Sequence, residues 1–122
     1  MVTSHKDLKL WQESMILVED VYKIAVDFPK EEMFGLTSQI KRSAVSIPSN
    51  IAEGAGRRGK AEFIRFLYIA LGSTSELETQ LEISVRLGFM QKNEEIFKRV
   101  YFVKNMITKL IKSLNNKHAY IH

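Results

Sequence analysis

Ser46-Ile-Pro-Ser-Asn-Ile-Ala-Glu-Gly-Ala-Gly-Arg-Arg58 is the stretch on which the fold turns. Around it Leu36, Ile40, Ala44, Ile47, Ile51 and Ala55 recur at steps of three or four, and the phase survives Pro48. A strand would alternate every second residue, so the spacing predicts one helix over residues 38–53. A bend is expected at Pro48, which lacks an amide and disfavours the hydrogen bond at the Ala44 carbonyl. Ser43, Ser46 and Ser49 lie near enough to solvate the opened turn, and Thr37 suits the N-cap. Residues 54–59, with three glycines, read as a short turn.

Outward from this stretch, three more segments carry helical periodicity. Residues 8–28 hold two adjacent apolar stripes: Leu8, Trp11, Met15, Val18, Tyr22 and Val26, then Leu10, Leu17, Val21, Ile24 and Phe28. Asp7 suits its N-cap, and Pro29 ends it. Residues 60–87 repeat Phe63, Leu67, Ala70, Thr74, Leu77, Leu81 and Val85, with Gly88 placed for a left-handed C-terminal cap. Residues 93–114 carry Ile96, Val100, Val103, Ile107, Leu110 and Leu114. Short linkers and four amphipathic helices predict an all-α, antiparallel up-down-up-down four-helix bundle in a single domain over residues 1–122. Residues 115–122 read as a frayed tail.

Composition narrows function mainly by exclusion. No cysteine is present, which removes disulfides and thiolate chemistry and fits a reducing compartment. No apolar run reaches the roughly 20 residues of a membrane span, and the polar N-terminus lacks a signal-peptide core. A cytoplasmic protein with no membrane partner is the expectation. The formal charge of +4 is compatible with an anionic partner without requiring one.

Gly54-Ala-Gly-Arg-Arg-Gly59 matches the dinucleotide pattern G-x-G-x-x-G, and with Lys60 it nearly completes a phosphate-binding loop. Both motifs need a strand leading into the glycines, whereas a helix leads in here, and Ala61 stands where the second needs Ser or Thr. A glycine turn is the better reading. No Glu-x-x-His pair offers a di-iron site, and His5, His118 and His122 all lie in the tails. No cofactor, metal or catalytic residue is expected.

Arg57, Arg58 and Lys60 cluster at the positive end of the third helix, where free amides also favour anions. Lys41, Arg42 and Arg65 are candidates to extend that surface into a phosphate-contacting patch, weighed against a merely solvated helix junction. After Glu95 the chain has no acidic residue, while Lys98, Arg99, Lys104, Lys109, Lys112 and Lys117 appear. Tyr101 and Phe102 interleave with them, and core packing is their first reading. Asn50, Glu53 and Glu76 fall on faces expected to be partly buried. They are therefore candidates for interhelical hydrogen bonds or ion pairs, with Arg42 as one partner. The double stripe of the first helix, with Ile16, exceeds what its neighbours need and predicts a subunit interface in a homo-oligomer.

The residues that carry a family likeness are Asp7-Leu-Lys-Leu-Trp-Gln12, Phe34-Gly-Leu-Thr-Ser-Gln-Ile40, the 46–58 stretch, Glu62-Phe-Ile-Arg-Phe-Leu-Tyr-Ile-Ala-Leu-Gly-Ser73 and Glu76-Leu-Glu-Thr-Gln-Leu81. Together they resemble the bacterial four-helix-bundle proteins encoded in intervening sequences of 23S ribosomal RNA genes, sometimes labelled ribosomal proteins. The likeness is close over residues 7–88 and loose in the last helix. It implies an antiparallel bundle, a barrel-like homopentamer and no established catalytic activity. A similar protein is the accessory subunit of diversity-generating retroelements, whose basic pentamer engages reverse transcriptase and nucleic acid. The resemblance thus implies self-association, with RNA, DNA or a protein as further partner.

Overall fold

Helices run through most of the chain because apolar residues recur at helical spacing and almost nothing interrupts them. The computed structural model describes residues 4–116. In it, α1 spans Lys9–Ala25, α2 Leu36–Ala55, α3 Lys60–Arg86 and α4 Glu94–Asn115, with 3-10 turns at His5–Asp7 and Lys30–Glu32. Contacts join α1 to α2, α2 to α3, α3 to α4 and α4 back to α1, with none across a diagonal among the described residues. The helices therefore stand at the corners of a square. Ser43 bonds to Gln80 and Ser46 to Ser73, so numbers that rise along α2 fall along α3, as an antiparallel bundle requires.

One stripe per helix fills the core. Leu17 and Val21 of α1, Ile40, Ile47 and Ile51 of α2, Leu67, Leu77 and Leu81 of α3, and Val100, Val103 and Ile107 of α4 are fully buried. In α1 the stripe through Leu10, Leu17 and Val21 faces inward. The other stripe leaves Met15, Tyr22 and Val26 exposed, with Leu8, Trp11 and Val18 half-buried. Tyr101 and Phe102 also point outward, contrary to the core role expected for them, because Val100 and Val103 take the inward positions.

The helix ends differ from the expected ones in physically specific ways. Leu8, not Asp7, is the N-cap of α1. Asp7 belongs to a 3-10 turn, itself capped by the Ser4 hydroxyl accepting from the Lys6 amide. The second helix starts at Leu36, and Glu32 reaches back so that its Oε1 accepts from the Leu36 amide at 3.2 Å. Thr37 is therefore inside the helix rather than capping it, and its buried hydroxyl has no partner. An unmade hydrogen bond of this kind costs about 1–3 kcal/mol. Thr37→Val should accordingly stabilise the protein by about 1 kcal/mol and raise the melting temperature by a few degrees. A calorimetric melt that falls instead would show that the hydroxyl has a partner in solution.

At the far end of α3 the expectation of a glycine cap holds. Gly88 has φ +76°, its amide donates to the Val85 carbonyl, and the Phe89 amide donates to Ser84 at 2.9 Å. These two bonds make a Schellman cap. Asn93 caps α4, its Oδ1 accepting from the Ile96 amide.

A polar seam joins α2 to α3. Ser43 donates to Gln80 Oε1 at 2.7 Å, the Ser46 and Ser73 hydroxyls are 2.8 Å apart, and Ser84 donates to the Gln80 carbonyl. The serines expected to solvate the turn around Pro48 are thus partly used elsewhere: Ser43 and Ser46 face α3. Pro48 itself is buried, and α2 is continuous through it.

Candidate nucleic-acid interface

The α2–α3 junction is built by two glycines with different tasks. Gly54 is not in a turn, as expected, but in the last turn of α2, buried against α3. A Cβ there would stand 2.7 Å from Phe66 Cβ and 3.1 Å from Phe63 Cδ1. Only hydrogen fits, so the two helices approach closely at this point. Gly59 has φ +89° and N-caps α3 without a side-chain bond. Its backbone conformation, rather than crowding, selects glycine, since a Cβ there would meet nothing within 4 Å.

Phe66, pressed against Gly54, forms the floor of the junction. The Arg57 guanidinium carbon lies 5.0 Å from its ring centroid and that of Arg65 4.6 Å, so two arginines flank one ring. Carboxylates orient both: Arg57 Nη2 is 2.9 Å from Glu53 Oε2, and Arg65 Nε is 3.1 Å from Glu62 Oε2. Arg58 is exposed between them in sequence, and Lys60 opens α3. The junction therefore holds four cations and two carboxylates, at the amide-rich start of a long helix. The stripe read from the sequence passes from Phe63 to Leu67 and skips Phe66, although Phe66 stands three residues from Phe63, itself a helical spacing.

Lys41 and Arg42 do not join this group. They precede Arg57 by more than four helical turns, on the order of 20 Å. Lys41 instead lays its ammonium 4.9 Å from the Tyr22 ring centroid on α1, and Arg42 is exposed nearby. The six candidate cations thus form two separate sets, because an unbroken α2 carries them to different heights.

The polar candidates also find local rather than interhelical partners. Asn50 donates to the carbonyl and hydroxyl of Ser46, one turn back in α2. Glu53 pairs with Arg57 rather than Arg42, and Glu76 is exposed, its Oε2 3.5 Å from Gln80 Nε2. Between α2 and α3 the polar bonds come instead from Ser43 with Gln80 and Ser46 with Ser73.

On α4 part of the basic series is already committed. Arg99 bridges Glu13 at 3.2 Å and Asp20 at 2.9 Å on α1, and Lys104 reaches Glu78 on α3 at 3.0 Å. Lys98, Lys109 and Lys112 are exposed, while Lys117, His118 and His122 lie outside the described residues. His5 sits edge-on to Trp11, with ring centroids 5.2 Å apart. Among the described residues no helix is long and apolar enough to cross a membrane, and no cluster of His, Asp or Glu could hold a metal.

Comparison with known proteins agrees with the geometry. A solved structure from Bacteroides thetaiotaomicron VPI-5482, a protein of unknown function from the S23 ribosomal protein family, superposes with a TM-score of 0.76. It is 28% identical over 84% of this chain and 98% of its own. None of the curated proteins matches. The family model of the 23S rRNA-intervening sequence protein matches residues 6–116, nearly the whole bundle. The chain belongs to the 23S rRNA-intervening sequence protein family.

Proposed function

We propose that this protein is a non-catalytic, homo-oligomeric bundle that binds nucleic acid through phosphate contacts at the α2–α3 junction. One observation carries the reading: Arg57 and Arg65, both lying over the Phe66 ring, stand with Arg58 and Lys60 at a start of α3 that no side chain caps. Arginines already oriented by a ring and a carboxylate lose little side-chain freedom on meeting a phosphate. The contacts recognise backbone rather than bases, so binding should be largely indifferent to sequence. Self-association would multiply a modest charge and present several junctions to one strand. The outward apolar stripe of α1 supports self-association, and the family resemblance supports five copies.

Fluorescence anisotropy with labelled RNA and DNA over a salt series tests this. The wild type should bind with a linear loss of log affinity against log salt concentration. Arg57→Ala with Arg58→Ala should weaken binding to every sequence and flatten the slope by about 2. No binding to either nucleic acid at low salt would sink the proposal. In that case the exposed apolar faces favour a protein-binding scaffold, such as an accessory subunit for a polymerase.

A further inference from the structure

We propose that the outer face of α4 takes single-stranded nucleic acid, with bases stacked on Tyr101 and Phe102 and phosphates on Lys98, Lys109 and Lys112. Val100, Val103 and Ile107 fill the core from this helix, so its buried stripe is complete without the two rings. Tyr101 is 63% exposed and Phe102 44%. Lys98, Phe102, Asn105, Lys109 and Lys112 recur at steps of four, three, four and three, which sets them in one row on the side turned from the core. Tyr101 stands beside Lys98 and Phe102, and the row is about 20 Å long.

Charge along the row is uneven, and the unevenness points to a polyanion. Residues 96–116 hold five cations and no carboxylate. Two of the five are committed, Arg99 to Glu13 and Asp20, and Lys104 to Glu78. Lys98, Lys109 and Lys112 enter no ion pair among the described residues. The carboxylates lining the hollows beside the two rings are Glu13, Glu82, Glu94 and Glu95. Arg99 holds Glu13 and Arg86 holds Glu82, which leaves Glu94 and Glu95 against Lys92 and Lys98. That end is therefore neutral, and the uncompensated charge lies with Lys109 and Lys112.

Rings at one end of a row and free lysines at the other suit a strand whose bases are unpaired. A duplex hides its base faces in the stack, whereas a single strand can lay them on exposed aromatic side chains. A protein partner would need a continuous apolar patch, and here lysines stand on either side of the rings. Phe97 lies with Glu82 and Ile83, and Lys104 with Glu78, so numbers that rise along α4 fall along α3. Lys109 and Lys112 therefore point toward the start of α3, the end that holds Lys60 and Arg65. Tyr68 of α3, 55% exposed, adds a third ring on the way. One strand held at the α2–α3 junction can thus continue along α4.

The inference rests on the proposed nucleic-acid binding and names the class of strand. The test is anisotropy with labelled oligothymidylate, alone and paired with oligoadenylate as a duplex. Tyr101→Ala with Phe102→Ala should lose about tenfold or more in affinity for the single strand, keep the wild-type salt slope, and bind the duplex as wild type does. Tyr101→Phe with Phe102→Tyr keeps both rings and should restore full affinity. Lys109→Ala with Lys112→Ala should flatten the single-strand salt slope by about 1.4. All four sites are exposed, so helical circular dichroism should be unchanged and lost binding will not reflect misfolding. Unchanged single-strand affinity in the alanine pair at 101 and 102, or an equal loss on the duplex, overturns the stacking surface and leaves the junction reading standing. A wild type that binds neither strand nor duplex overturns both.

Discussion

Gly54→Val is expected to destabilise the bundle by about 3 kcal/mol and to lower its melting temperature by roughly 10 °C. The new side chain would drive into Phe66 and Phe63, whose own helix cannot withdraw without opening the α2–α3 seam. Forcing the helices apart would also strain the Ser46–Ser73 and Ser43–Gln80 bonds, which need their present spacing. The same change should loosen the Phe66 floor and with it the seats of Arg57 and Arg65. Gly72, in the middle of α3, supplies the control of opposite sign. A Cβ there meets nothing within 4 Å, so Gly72→Ala should stabilise by about 0.5–1 kcal/mol through reduced chain entropy. Urea or thermal melts of both variants decide the matter. Two shifts of the same sign would mean that the close approach at Gly54 is not maintained in solution.

Leu17→Ala should cost about 2–5 kcal/mol, a large share of the stability of a domain this size. Leu17 is fully buried in the core cluster, and its removal leaves a void that rigid neighbours fill only in part. Met15→Ala, two positions away on the other stripe, should change monomer stability by no more than about 0.5 kcal/mol. Met15 is 39% exposed and lies outside the buried cluster. Denaturant titration in dilute protein separates the two, and comparable losses would mean that α1 is rotated from the orientation described.

That pair of leucine and methionine shows where sequence reading stops. Both stripes of α1 have helical spacing and similar apolarity, so periodicity identifies the helix but not which side the bundle takes. The choice depends on what α2 and α4 present. On the α4 side the Arg99 clamp on Glu13 and Asp20 helps fix which face of α1 turns inward. The candidate cations illustrate a second limit. Lys41 and Arg57 are 16 residues apart and both basic, yet a helix continuous through Pro48 carries them to different heights. Glu53 was legible as a pairing residue, while its partner, Arg57 rather than Arg42, followed only from the last turn of α2 staying helical through Gly54.

By itself the sequence determined four helices, their order, their antiparallel sense and the family. These follow from local spacing, short linkers and a long motif, none of which needs another part of the chain to be placed. Tertiary structure alone decided the meaning of the 46–58 stretch. Its glycines look alike in one dimension, but Gly54 is small because a phenylalanine from another helix occupies its Cβ position, and Gly59 is glycine because the chain turns there with positive φ. Which apolar stripe faces out, and which arginines share one ring, likewise depends on packing between distant segments.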